Sequence, residues 1–354
     1  MDFTRDDSQD AVAEVVVSLL ERNPARDMAL WPAFVDAGLP AVALPARFGG
    51  DDMGLPEISV LLTELATDAV AVPALPTLAF GVLPLLGVLP DRLAERIYPE
   101  VAKGAVLTAA FHEPGAPFAA APRTSAVADG NSVRITGHKV AVPYGEQARW
   151  LLVPTDRGVA LVDSEAEGLT KTASPVSGAA PECTVRLDDV LVAADQVLSV
   201  DLGACHRIAL AAIGSVADGL LKGAIALTAE HLRTRRQFGR PLAEFQAVAQ
   251  QIADLYVTSR TLHVAALAAN WALALDDPDA ERRERTDDDL DILAYTVSAE
   301  LPRAMQKCHH LHGGLGVDIT HSMHRYYSQA KDLTRWLGGA SFRLDRLGAR
   351  CSSI

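Results

Sequence analysis

Arg235-Arg236-Gln237-Phe238-Gly239-Arg240-Pro241-Leu242, followed by Phe245-Gln246 and Ala253-Asp254, stands between two long stretches of helical character. His206 to His231 before it is alanine-rich, and Leu242 to Leu275 after it keeps its apolar residues near a 3.6 spacing. Taken alone, three arginines in such a junction read as a solvated connector, because exposed charge is the default. Working toward the C-terminus, Leu290 to His312 and Thr320 to Trp336 add two more helices and complete a bundle. Residues 276–289 between them are dense in charge and read as a solvated excursion. Working toward the N-terminus, residues 105–199 change texture. Short β-branched or alternating runs appear at Ser132–Thr136, Trp150–Val153, Gly158–Val162 and Thr184–Leu187. Asp129-Gly130-Asn131, Thr136-Gly137-His138 and Glu167-Gly168 read as turns between strands. Residues 1–104 return to helical patterning, at Asp10–Leu20, Leu55–Leu65 and Asp91–Val101. The order is a helical domain (1–104), a strand-rich domain (105–199) and a helical bundle (200–354). A cleft between such units is where ligands usually sit.

The chain has 354 residues, 49% of them hydrophobic and 22% charged, which fits two or three folded domains and excludes disorder as the main state. The net charge of −13 leaves no basic face for nucleic acid or an anionic membrane. Ala69 to Pro90 carries no charge, but Pro73, Pro76, Pro84 and Pro90 would break a membrane helix, so it reads as buried short helices. The opening MDFTRDDSQD is acidic and polar and argues against a targeting peptide there. Cys183, Cys205, Cys308 and Cys351 have no CxxC spacing and read as reduced thiols of a cytoplasmic protein. Histidines at 309, 310, 312, 321 and 324, beside Cys308, raise a zinc reading. His309 and His310 point apart on a helix, and His321 and His324 lack an evident third ligand, so no metal site is assigned.

The quoted stretch closely resembles the R-x-Q-F-G-x-P-[IL]-x-x-[FH]-Q…A-[DE] signature of the acyl-CoA dehydrogenase flavoproteins. Further matches follow in the family's order: Leu44-Pro45 with Phe48-Gly49-Gly50, His112-Glu113-Pro114-Gly115, Gly137-x-Lys139, and His312-Gly313-Gly314-Leu315-Gly316 ahead of Met323-His324-Arg325-Tyr326-Tyr327 and Ala330-Lys331. The resemblance implies a helical N-terminal domain, a central β-barrel and a C-terminal four-helix bundle. It also implies FAD as cofactor, with Arg235 reaching the pyrophosphate of a neighbouring subunit's FAD. A guanidinium suits that role because its planar fork pairs with phosphate. By the same resemblance Phe238 would pack near the adenosine end. Gln237, Gln246 and His310, the last standing where the family usually has Gln, would contribute polar contacts. Gly313 and Gly314 would let backbone approach the nucleotide closely.

The family's carboxylate base, in a Y-E-G-T stretch, is replaced here: Trp336-Leu337-Gly338-Gly339 puts Leu337 in the Glu position. A second family location for the base falls near His206, a possible but unusual base. No Asp or Glu lies between Gly203 and Val216. Where the family packs a W-I-T-like run on the flavin ring, this chain has Ala141-Val142-Pro143-Tyr144. Ala116-Pro117-Phe118 replaces the usual G-S-D. The chain is therefore similar to the short subunit of actinobacterial heteromeric α2β2 acyl-CoA dehydrogenases that act on steroid side chains. That similarity implies a larger catalytic partner subunit and a substrate such as a 3-oxo-steroid with a C17 propanoyl-CoA side chain. Two other readings stand beside it: a homomeric dehydrogenase using His206, and a non-enzymatic structural or regulatory relative.

Overall fold

The computed structural model describes residues 4–275 and 280–351. Helix α1 (Asp7–Arg22) starts at Asp6, whose carboxylate accepts from the Gln9 N–H while the Gln9 side chain accepts from Asp6 N–H. Short α2 (Trp31–Asp36) and α3 (Leu55–Thr67) follow. The proline-rich stretch is buried from Ala69 to Leu85 as a π-helical segment, Leu75–Val82, and a 3-10 turn, Leu83–Leu85. Helix α4 (Asp91–Ala102) closes the helical region, and strands begin at Val106.

Eight strands form two four-stranded sheets. They are β1 (Val106–Ala109), β2 (Ser125–Asp129), β3 (Ser132–Pro143), β4 (Ala148–Thr155), β5 (Gly158–Asp163), β6 (Leu169–Ser174), β7 (Glu182–Ala193) and β8 (Val197–Leu198). One sheet runs β1-β4-β5-β8 and the other β2-β3-β7-β6. Among the described residues the β1–β4 pair is parallel and the other pairs of these sheets are antiparallel. An isolated bridge from His112 to Val140 links the exit of β1 to β3 across the two sheets. Thr136-Gly137-His138 is not a turn. It lies inside β3, where the register against β7 shifts between Ile135 and Gly137. A glycine in a strand interior marks a close approach as readily as a turn. A Cβ on Gly137 would stand 2.4 Å from Thr124 Oγ1.

The chain returns to helix at α5 (Leu202–Thr234), which packs against α3, α6 (Gln246–Leu273), α7 (Ala280–His312) and α8 (Met323–Trp336). Its contact with α3 is tight. A Cβ on Gly219 would lie 2.3 Å from Thr63 O, and one on Gly223 2.0 Å from Thr67 O. Helix α5 is long and apolar enough to cross a membrane, but 78% of its apolar window is buried inside the fold. The excursion expected at 276–289 is corrected from residue 280 onward, where the chain is helical although 281–285 are exposed as expected; residues 276–279 lie outside the described residues. Helix α7 starts at Ala280, and two turns in its carboxylates pair with arginines of other helices. Arg207 Nε donates to Asp287 at 2.7 Å and Arg350 Nε to Asp288 at 2.6 Å. Helix α9 (Gly339–Cys351), which supplies Arg350, has no counterpart in the sequence reading.

Candidate functional site

The signature between α5 and α6 folds as a small hairpin, β9 (Arg236–Gln237) and β10 (Arg240–Pro241), turned by Phe238-Gly239. Arg236 Nη2 closes the turn by donating to Gly239 O at 3.0 Å. Phe238 is 92% exposed and its φ is +51°, in the left-handed region that a bulky side chain rarely adopts. Its one ring neighbour is Phe245, edge-on at 6.2 Å. Arg235 is exposed and has no carboxylate partner among the described residues. Gln237 and Gln246 are exposed, the latter as the first residue of α6.

The second motif is brought to the same end of the bundle. His231, near the end of α5, stacks on His312 at the end of α7 with centroids 4.6 Å apart. His312 also meets His321 at 5.0 Å, and its Nδ1 lies 2.9 Å from Cys308 O. His310 is exposed on the last turn of α7. Gly313 and Gly314 follow, with φ +63° at Gly313, and no atom lies within 4 Å of a Cβ built on either. The hairpin and this glycine turn thus leave an open surface with backbone accessible, on which Phe238, Leu315, Val317 and Ile319 are exposed. Among the described residues no three His, Cys, Asp or Glu groups converge on a metal position.

The middle region shows why His112-Glu113 and Gly137-x-Lys139 travel together. Glu113, 3% exposed, pairs with Lys139 Nζ at 2.8 Å, and the Lys139 side chain is wholly buried. Glu113 also accepts from Thr124 Oγ1 at 2.7 Å, Thr124 N at 3.0 Å and Arg123 N at 2.8 Å. The small size of Gly137 admits Thr124 to this group. Burial pushes the Glu113 carboxyl up, but Lys139, Thr124 and the Arg123 amide outweigh it and hold it at about 2. Lys139 is pushed below its ordinary value by burial despite its partner, since a single carboxylate faces its ammonium. These residues hold three segments together; they are not exposed to a ligand.

Leu337 is wholly buried, and its carbonyl accepts from Arg343 Nε at 2.7 Å. Trp336 Nε1 donates to buried Glu182 at 2.7 Å, and Arg335 pairs with the same carboxylate oxygen. Asp332 accepts from Ser177 N at 3.1 Å and Gly178 N at 2.8 Å. Between Tyr144, Val216, Leu333 and Trp336 only a cavity of about 60 Å³ remains. Sequence reasoning missed Glu182, Asp332 and Arg343; isolated ionisable residues carry no periodicity to betray their burial.

His206 packs edge-on against Phe111 at 5.2 Å and Phe118 at 5.4 Å. Burial first, and then Arg346, Arg343 and Lys139, bring it down to about 4. His112 is brought to about 3, mainly by burial. Both are neutral when folded and near 6.5 when unfolded. Their contribution is complete above pH 6.5 and is lost as pH falls toward 4 and 3; that of Glu113 is lost between its ordinary 4.5 and about 2. Urea midpoints measured from pH 7.5 to 4 are expected to fall steadily below pH 6.5, and less steeply in His112→Gln. A flat profile over that range would contradict these assignments.

Comparison with known proteins converges on one family. The acyl-CoA dehydrogenase C-terminal domain family matches residues 206–350. The chain is 47% identical to acyl-CoA dehydrogenase FadE28 of Mycobacterium tuberculosis over 99% of both chains. Among solved structures, it is similar to the ChsE4–ChsE5 complex from Mycobacterium tuberculosis, with TM-score 0.90, 28% identity and full coverage of both chains. It is also similar to the Tcur3481–Tcur3483 steroid ACAD, with TM-score 0.87, 29% identity and 98% coverage of each.

Proposed function

Because the chain belongs to the acyl-CoA dehydrogenase family of oxidoreductases, we propose that it is the base-lacking short subunit of a heteromeric enzyme and completes the FAD site of a larger partner subunit. The observation that carries this reading is the hairpin. An aromatic side chain 92% exposed on left-handed backbone, beside an arginine without a carboxylate partner, has no reason within its own chain. Arg235 would grip the pyrophosphate and Phe238 would lie against the adenosine. Gln237, Gln246 and His310 would offer donors, and the open Gly313-Gly314 backbone would allow close approach. FAD, when bound, supplies the hydride acceptor for dehydrogenation of a CoA thioester.

By the family resemblance a flavin ring of this chain's own would lie near Tyr144 and Leu337, and the small cavity there argues against one. The 60 Å³ beside Tyr144 and Trp336 is a few times the ~10–15 Å³ that one ordered water requires. The Glu182–Arg335–Trp336 group fills the surroundings. Leu337 accepts no proton, and a His206 held near 4 is a weak base at neutral pH, which disfavours the homomeric reading. The base would then come from the partner. Resemblance to two complexes of paired chains, one of them a steroid ACAD, supports an α2β2 assembly acting on a steroid CoA thioester with a C17 propanoyl side chain. Cys183, Cys205 and Cys308 are free and buried, which suits a reducing cytoplasm.

The test is flavin content and native mass, for the chain alone and co-expressed with a candidate larger subunit. The expected result is little FAD alone and about one FAD per two chains in a heterotetramer. One FAD per chain in a homotetramer would overturn the proposal.

A further inference from the structure

A cavity of about 170 Å³ lies where the first turns of α5 meet α7 and α9, with Phe118 in its wall. It is some ten times the ~10–15 Å³ that one ordered water requires. Arg343, Arg346 and Arg350 of α9 line it, spaced so that they share one helix face. Arg207 and His206 of α5 face them. Asp291 of α7, 3% exposed, neutralises part of this charge: it lies 3.3 Å from Arg346, 3.6 Å from Arg343 and 3.9 Å from Arg350. Exposure falls from 42% at Arg346 to 1% at Arg343, so Arg346 stands at the mouth and Arg343 at the floor.

Two of the lining residues carry a buried nitrogen with no hydrogen-bond partner among the described residues, Arg343 Nη2 and His206 Nε2. Arg343 spends Nε on Leu337 O and directs Nη1 toward Asp291, leaving its second terminal nitrogen unmatched. An unmatched buried guanidinium nitrogen is among the costlier defects a fold can retain. Burial and the neighbouring Arg346 bring Arg343 down to about 10, so it is still cationic at neutral pH.

We propose that this cavity binds a small free oxyanion, a carboxylate or phosphate, against Nη2 of Arg343, with His206 Nε2 as a second contact and Arg346 guarding entry. A guanidinium N–H donating to an oxyanion makes a charge-assisted hydrogen bond, among the stronger kinds, with either group. Phe118 gives the wall an apolar portion that a short carbon skeleton could cover. The proposal is independent of the flavin reading, since none of its residues belongs to the hairpin or the glycine turn.

The test is titration calorimetry of the assembled complex with inorganic phosphate, acetate and succinate, each at constant ionic strength against chloride. Saturable binding of one ion per copy of this chain is expected, weakened at least tenfold in Arg346→Gln and also weakened in His206→Asn. These two variants are chosen because Arg343→Gln could disturb the Leu337 turn. Phosphate binding alone would name phosphate as the ligand class; acetate or succinate alone would name a carboxylate. Heats indistinguishable from chloride for all three would overturn the proposal and leave water as the occupant. Saturable binding unchanged in both variants would overturn it as well, by placing the ion elsewhere.

Discussion

Replacing Lys139 by methionine is expected to destabilise the chain by about 3 kcal/mol, the lower end of what breaking a buried ion pair costs. Methionine keeps the length and apolar stem of lysine, so the loss isolates the ammonium. The figure is at the low end because Glu113 retains Thr124 Oγ1 and two backbone amides. Glu113→Gln should cost a similar amount, since it leaves a fully buried ammonium without a counter-charge. The pair of changes together should cost less than their sum, as neither then strands a charge. Urea unfolding of the two single variants and the double variant measures this. Strict additivity would mean that the 2.8 Å contact carries no coupling and that the pair's effect is only packing. The expected damage is local to the segments that meet at Glu113: the exit of β1, the entry of β2 and the middle of β3. Phe118, a wall of the arginine-lined cavity, lies in the loop between the first two, so the same variant should loosen that wall.

How much of this was legible beforehand follows from the kind of signal each part carries. The long helices announce themselves because burying one face of a helix imposes a spacing that survives in the sequence. The hairpin was legible for the opposite reason. Arg235, Gln237 and Phe238 have no packing explanation, so their joint occurrence points outward, and the structure finds Phe238 in solvent. What stayed hidden was pairing between distant charges. Asp287 and Asp288 look like a solvated run until Arg207 of α5 and Arg350 of α9 are placed beside them, and Asp291 meets the arginines of α9 in the same way. Arg343, Arg346 and Arg350 at i, i+3 and i+7 were a readable complement, but only to someone already expecting a helix after Gly339. Gly137 misled in the same way. A glycine between threonine and histidine at the end of a β-branched run reads as a turn, whereas here it yields space to a threonine from another segment.

Arg235→Ala in the assembled heteromer is expected to weaken FAD retention roughly 10- to 100-fold. That is the equivalent of one charge-assisted hydrogen-bonding contact, about 1.5–3 kcal/mol, at 1.4 kcal/mol per decade. The fold should not notice. Arg235 is exposed, and its helix-capping bond to His231 O uses backbone N, so truncation should change stability by no more than about 0.5 kcal/mol. Arg233→Ala is the control, an exposed arginine two residues earlier whose partner is Glu230 at 3.1 Å, and flavin content there should match the parent. Arg235→Lys should fall between, because an ammonium keeps the charge but loses the planar fork that takes two phosphate oxygens. Flavin absorbance per complex after dilution and gel filtration reads all three, with circular dichroism confirming the helices. If Arg235→Ala retains the parent's flavin while Arg233→Ala does too, the hairpin does not reach the cofactor. Its exposed Phe238 would then be serving protein contact alone, and the reading of this chain as the completing half of a partner's flavin site would fall.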